Sequence, residues 1–202
     1  MGATDARVVA AMEFALRAHG RQTRKDGRTP YLVHPVAVLR LLVTRLGIED
    51  PEVLATALLH DVLEDTDATA EEIGSRFGPR VLSWVESLTL PPEAHGEGVP
   101  LSTKTAFLLR SLAGQPWEAV LVKVCDRWDN LLDMAAAPWS AERRRAFREQ
   151  TSRWIAAVRE RRAVDPEPPR LTRALGEGLT ALERVLQEPD PLEEGAAGST
   201  VR

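Results

Sequence analysis

The chain has 202 residues, 44% of them hydrophobic, enough for one compact domain or one domain with an appended helix. Its 26 basic and 30 acidic residues give a net charge of −4, which removes any electrostatic case for binding nucleic acid or an anionic membrane surface. One cysteine, Cys125, excludes an internal disulfide; with no basic, apolar leader and no run of about 18 apolar residues, the expectation is a cytoplasmic protein.

Hydrophobic spacing is helical almost throughout, and no alternating strand stands out, so the fold class is all-α. Val8, Met12, Ala15 and Leu16 mark one face of a first helix. A polar, turn-rich loop, HGRQTRKDGRTPY, leads to His34-Pro35, where proline suits the first position of a second helix running to Gly47. Asp50 is the expected cap of a third helix, Glu52 to Glu64, which is apolar on nearly every side and so belongs in the middle of the bundle. Thr69 and Glu72 form a capping box for a short helix ending at Phe77-Gly78, and another helix covers Val81 to Leu88. Residues 89–101 read as loop. Helices follow over Ser102–Leu112, from Pro116 to about Met134, from a cap at Ser140 to Arg162, and over Arg170–Gln187 after the DPEPP break. From Pro189 on, composition predicts disorder.

Two of these helices carry acids inside apolar runs. In ALLHDVLEDT (57–66), His60, Asp61, Glu64 and Asp65 crowd one end of the central helix. Buried carboxylates need partners or a metal, and several together favour a divalent cation, which cancels their mutual repulsion. In VLVKVCDRWDNLLDM, Asp126 interrupts a second apolar helix, with Asn130 one turn on. His34, closing the polar loop, is a further candidate ligand. Mixed imidazole and carboxylate donors suit Mn²⁺, Fe²⁺ or Zn²⁺ better than Ca²⁺. Each residue also has a plainer reading: His60-Asp61 as a helix-end cap, His34 as a helix-start residue, Asp126 as a solvated partner of Lys123 or Arg127. Two apolar helices, both interrupted by acids, are harder to explain that way.

The order His, His-Asp, distant Asp on helices resembles the HD-domain metal-dependent phosphohydrolases, and four blocks resemble the hydrolase domain of RelA/SpoT-type enzymes that degrade (p)ppGpp. They are AHGRQTRKDGRTPYLVHP (18–35), ALLHDVLEDT (57–66), FGPRV (77–81) and VKVCDRWDNL (122–131). This resemblance implies an HD-domain helical bundle over residues 1–163, a linker and packed C-terminal helix over 164–188, and a tail over 189–202. It implies His34, His60, Asp61 and Asp126 as metal ligands, Mn²⁺ as cofactor with Fe²⁺, Zn²⁺ or Mg²⁺ as alternatives, and Glu64 and Asp65 as the pair that positions or deprotonates the attacking water. It further implies Arg24, Lys25, Tyr31 and Asn130 as nucleotide-binding residues, and hydrolysis of the 3′-pyrophosphate of a nucleotide as the reaction. Chemistry agrees: a divalent cation can activate water and polarise phosphate, Glu64 can act as base, and Arg24, Lys25 and Arg28 can clamp phosphates.

The chain departs from the family pattern at Leu90, where lysine is usual, and at Trp128-Asp129, where Asn130 is normally preceded by histidine or tyrosine. These departures are expected to alter the pocket, so ppApp, NADPH or another phosphorylated nucleotide stands as an alternative substrate, and a non-catalytic nucleotide sensor as an alternative role. The arginine-rich stretch ERRRAFREQTSRW reads as a solvated helix face, Cys125 as a small core residue, and His19 as helix-end packing that could approach the site. His95, in a flexible loop, is given no role.

Overall fold

The computed structural model describes residues 3–95, 98–134 and 136–190. Its ten described α-helices are α1 (Ala3–His19), α2 (Val33–Thr44), α3 (Pro51–Leu59), α4 (Val62–Asp65), α5 (Ala70–Phe77), α6 (Pro79–Leu88), α7 (Leu101–Ser111), α8 (Trp117–Asp133), α9 (Ala141–Val164) and α10 (Pro169–Gln187). Among the described residues, extended pairing is limited to one isolated bridge between Thr23 and Pro30, so the all-α expectation holds. No helix among them is long and apolar enough to cross a membrane.

Local chemistry explains the helix starts. The Asp50 carboxylate accepts the Glu52 N–H at 2.9 Å, with Pro51 in the first turn where its missing N–H costs nothing. Thr69 and Glu72 close a reciprocal capping box, and Ser140 accepts from Arg143 N–H to start α9.

Helix α3 is buried from Val53 to Leu59 because its opposite faces feed two apolar clusters. Val53, Leu54 and Ala57 join a cluster that includes Leu42, Val124 and Leu179; Ala55, Leu58 and Leu59 join one that includes Phe14, Ile73 and Phe77. It packs against α1, α2, α6 and α8, which places its C-terminal end inside the bundle. At that end the chain differs from the expected single helix over Glu52–Glu64. It breaks at His60-Asp61, with Asp61 at φ −103° and ψ −2°, and resumes as the single turn α4. An unbroken helix would carry three carboxylates into its negative C-terminal end; the break puts Glu64 and Asp65 at the start of a new turn instead.

Other differences are small. Helix α2 begins at Val33, two residues before Pro35, and the 89–101 loop contains a 3₁₀ turn over Pro92–Ala94. Asp190, assigned to the tail, is buried with its carboxylate 2.5 Å from Arg144 Nε, and residues 191–202 lie outside the described residues.

Helix α10 lies along α8 at close range, and Gly178 makes that possible. A Cβ added there would stand 2.9 Å from Val124 Cγ1 and 3.4 Å from Leu46 Cδ1. Gly178→Ala removes a poor helix former, a gain of about 1 kcal/mol, yet overpacks a rigid contact at about 1–3 kcal/mol. A lower melting temperature by circular dichroism is therefore expected; an unchanged or higher one would show that α10 can retreat from α8 without cost.

Candidate metal centre

Three segments deliver the site: the loop into α2, the α3–α4 break, and the middle of α8. His34 and His60 are each 1% exposed and Asp126 is 6% exposed, so these three donors belong to the protein interior, while Asp61 is half-buried. Their facing atoms form a closed ring. His34 Nε2 stands 3.1 Å from Asp126 Oδ1 and 3.7 Å from Asp61 Oδ2; His60 Nε2 stands 3.1 Å from Asp61 Oδ2 and 3.8 Å from Asp126 Oδ1. With metal–ligand bonds of about 2.1 Å, neighbouring donors of a tetrahedral or octahedral shell stand roughly 3.0–3.4 Å apart, close to this ring.

A second observation favours a cation here. His60 Nδ1 donates to the Ala57 carbonyl at 2.8 Å, so the neutral imidazole presents its Nε2 lone pair inward, and that buried atom makes no well-aligned hydrogen bond although Asp61 Oδ2 stands 3.1 Å away. An orphaned imidazole nitrogen beside two carboxylates is what a divalent ion would satisfy. Burial alone would lower the basicity of both imidazoles; the surrounding carboxylates outweigh it, raising His34 through Asp126 and Asp129 and His60 to about 10 through Asp61 and Asp126.

Asp126 is gripped on both oxygens. Oδ1 accepts from Asn130 Nδ2 at 2.5 Å, and Oδ2 pairs with Lys123 Nζ at 2.8 Å. Of the plain reading of Asp126 as a solvated partner of Lys123 or Arg127, the Lys123 pairing is present, but Asp126 is buried and Lys123 half-buried, and Arg127 points to α9, donating to Thr151 Oγ1 and Gln150 Oε1.

The acidic pair lies beside the ring. Glu64 Oε2 accepts the Leu90 backbone N–H at 2.9 Å, which tethers the carboxylate whatever side chain residue 90 carries. Burial, then Asp61 and Asp65, raise the Glu64 carboxyl above its ordinary range, against the Leu90 N–H and Lys123. The Tyr31 hydroxyl, kept protonated mainly by burial, lies 2.6 Å from Asp61 Oδ2 and 2.8 Å from Asp65 Oδ2, so one phenol bridges ring and acidic pair. His19 stacks on Tyr31 with ring centroids 4.4 Å apart, a place that sequence periodicity could not give it.

The loop before α2 is a pinned hairpin. Arg24 N–H donates to the Thr29 carbonyl, Gly27 turns at φ +69°, and Asp26 accepts from the Arg28 and Thr29 N–H groups and the Thr29 hydroxyl. Its two basic residues behave differently. Arg24 is buried, with Nε and NH2 donating to Asp133 Oδ2 at 3.1 and 2.8 Å and NH2 reaching Asn130 Oδ1 at 3.3 Å. Lys25, exposed overall, lays its ammonium 4.3 Å from the Trp139 ring centroid. Desolvation against that surface, followed by the Arg24 charge, lowers it to about 8. Arg28 sits exposed near the hairpin tip.

Three residues near the site escaped sequence reasoning. Asp129, noted only as a departure, puts Oδ2 2.7 Å from His34 Nδ1. Asp133 holds Arg24. Asp126, Asp129, Asn130 and Asp133 form an i, i+3, i+4, i+7 stripe on α8, a signal the sequence carried. The third, His95, was given no role, but its Nε2 lies 3.6 Å from Glu64 Oε1 and 3.4 Å from Asp65 Oδ1. The 3₁₀ turn before it carries the imidazole onto the acidic pair. Trp128, by contrast, is half-buried and packs against the larger apolar cluster.

Comparison with known proteins points the same way. The HD domain family (HD_4) matches residues 11–164. The human guanosine-3′,5′-bis(diphosphate) 3′-pyrophosphohydrolase MESH1 is 36% identical over 162 residues, covering 78% of this chain and 86% of that protein. The enzyme of the same description from Aquifex aeolicus is 37% identical over 154 residues, which are 76% of this chain but 21% of the longer bacterial protein. A solved structure, described as a metazoan ortholog of SpoT that hydrolyses ppGpp and plays a role in starvation responses, superposes with a TM-score of 0.74 at 27% identity, covering 90% of this chain and 94% of the other.

Proposed function

The chain belongs to the HD-domain family, within the group of guanosine-3′,5′-bis(diphosphate) 3′-pyrophosphohydrolases, and from that premise we propose that it hydrolyses the 3′-pyrophosphate of (p)ppGpp to GDP or GTP and pyrophosphate. The observation that carries the reading is the ring of donors from His34, His60, Asp61 and Asp126, of which the orphaned His60 Nε2 is one, with Glu64 and Asp65 beside it.

An HD domain works with a divalent metal, and here the group His34, His60 and Asp61, with Asp126 Oδ1 facing both imidazoles, would hold it, with Mn²⁺ as the proposed ion. When bound, the cation supplies Lewis acidity: it makes water a stronger acid and offsets charge on the phosphoryl oxygens. The remaining work falls to the protein. Glu64, with its raised carboxyl and Oε2 tethered by Leu90, takes the proton of the attacking water on Oε1. Asp65 orients that water, its own carboxylate fixed by the Tyr31 hydroxyl. Arg24 anchors the hairpin to α8 while Lys25 and Asn130 meet the nucleotide. The catalytic unit is residues 1–163, braced through α8 by the C-terminal helix.

The case for other substrates rested on Leu90 and Trp128. Leu90 acts on Glu64 through its main chain and Trp128 packs on the core, so neither observation favours ppApp or NADPH. Purified protein supplied with Mn²⁺ should release pyrophosphate and GDP from ppGpp in equal amounts, and a chelator should stop it. Absence of release under those conditions rejects the proposal; faster turnover of ppApp or NADPH in the same panel would redirect it.

A further inference from the structure

The departure at position 129 is more than a change of pocket shape. We propose that Asp129 is a positioning residue for the metal site: it holds the His34 imidazole in the tautomer and orientation that present Nε2 to the cation. This rests on the metal-site reading above and deepens it.

The geometry has two sides. On the inner side, His34 Nε2 faces the ring atoms Asp126 Oδ1 and Asp61 Oδ2 at 3.1 and 3.7 Å. On the outer side, Asp129 Oδ2 is 2.7 Å from Nδ1, the short distance of a charge-assisted bond. Because a carboxylate is only an acceptor, Nδ1 keeps its proton, and a cation entering the ring would displace the proton that Nε2 shares with Asp126 Oδ1 in the metal-free protein, leaving that lone pair for the cation. His34 is nearly fully buried and a carboxylate is its outer partner, whereas the outer partner of His60 is the neutral Ala57 carbonyl. The two imidazoles are thus held by acceptors of different charge, and the anionic one makes its imidazole the stronger donor.

The alternative is that Asp129 only balances the buried Arg24, whose NH2 lies 3.9 Å from Asp129 Oδ2. That guanidinium already has a closer carboxylate in Asp133 at 2.8 Å, so Asp133 is the residue for that task. The α8 stripe then divides its labour: Asp126 donates to the metal, Asp129 and Asn130 each steady one donor, and Asp133 fastens the hairpin.

Mn²⁺ titration by calorimetry on the full chain provides the test. Asp129→Ala should weaken Mn²⁺ binding about 10–100-fold, as loss of an outer-shell partner does. Asp129→Asn, which keeps an acceptor without the charge, should fall between that variant and wild type. Asp133→Asn, which loosens Arg24 but leaves His34 untouched, should bind Mn²⁺ like wild type. A downfield Nδ1 proton of His34 should be visible by NMR in wild type and lost in Asp129→Ala. Equal Mn²⁺ affinity in wild type and both Asp129 variants, all folded by circular dichroism, overturns the inference; so does an equal loss in Asp133→Asn. If wild type itself takes up no divalent ion, the failure belongs to the metal-site reading instead.

Discussion

Asp61→Asn should abolish tight Mn²⁺ binding and lower ppGpp hydrolysis by at least about 10³-fold. Asp61 Oδ2 belongs to two edges of the donor ring, 3.1 Å from His60 and 3.7 Å from His34, so losing its charge weakens two corners of the site together. The fold should survive. Asp61 sits at a break between helices, and an amide oxygen can still accept the proton that Tyr31 gives at 2.6 Å. Burial alone would raise the Asp61 carboxyl, but the His60 and His34 imidazoles outweigh it and hold it well below its ordinary range, so its charge stabilises the metal-free fold. Apo Asp61→Asn should therefore melt below apo wild type, while the rise in melting temperature on adding Mn²⁺, present in wild type, disappears. A variant that keeps both the Mn²⁺-dependent rise and the activity would remove Asp61 from the metal site.

Glu64→Gln should leave Mn²⁺ affinity close to wild type and cut kcat about 10²–10⁴-fold, the range for losing a positioned general base. Glutamine preserves the length of the side chain and an oxygen for the Leu90 N–H, so the change is in basicity rather than shape. The pH profile adds a second readout. Burial raises the Glu64 carboxyl, and Asp61 and Asp65 raise it further, which outweighs the Leu90 N–H and Lys123. A raised pKa means that the basic form is lost at a higher pH on acidification than for an ordinary glutamate, near 4.3. Activity should therefore fall on the acid side with a midpoint above about 4.3, and that limb should vanish from the residual activity of Glu64→Gln. Residual activity equal to that of an active wild type would remove Glu64 as the base; wild type and variant both at background would favour a nucleotide-sensing role without catalysis.

What the sequence disclosed, and what it withheld, follows from how each residue is placed. His60, Asp61 and Asp126 were legible because they interrupt runs that are otherwise apolar, and a charge amid a core helix has few innocent explanations. The caps at Asp50, Thr69 and Ser140 were legible because capping is local. Asp129 and Asp133 were not, since on an amphipathic helix a polar face directed at a site and one directed at water look alike. The break at His60-Asp61 was hidden for a different reason: hydrophobic periodicity follows side chains, and both residues stay in the right-handed region of backbone space. His95 reaches Glu64 only through the turn of a distant loop, a tertiary fact without a local mark. Arg24 was read as an open phosphate clamp, yet most of its guanidinium is committed to Asp133 and Asn130, because charge content says nothing of who is already paired.

The tether on Glu64 separates two kinds of evolutionary freedom. Every amino acid except proline brings the same amide to position 90, so mutation there can redraw the chemical character of the neighbourhood while the base stays in register. A lysine in place of Leu90 would therefore hold Glu64 by the same bond.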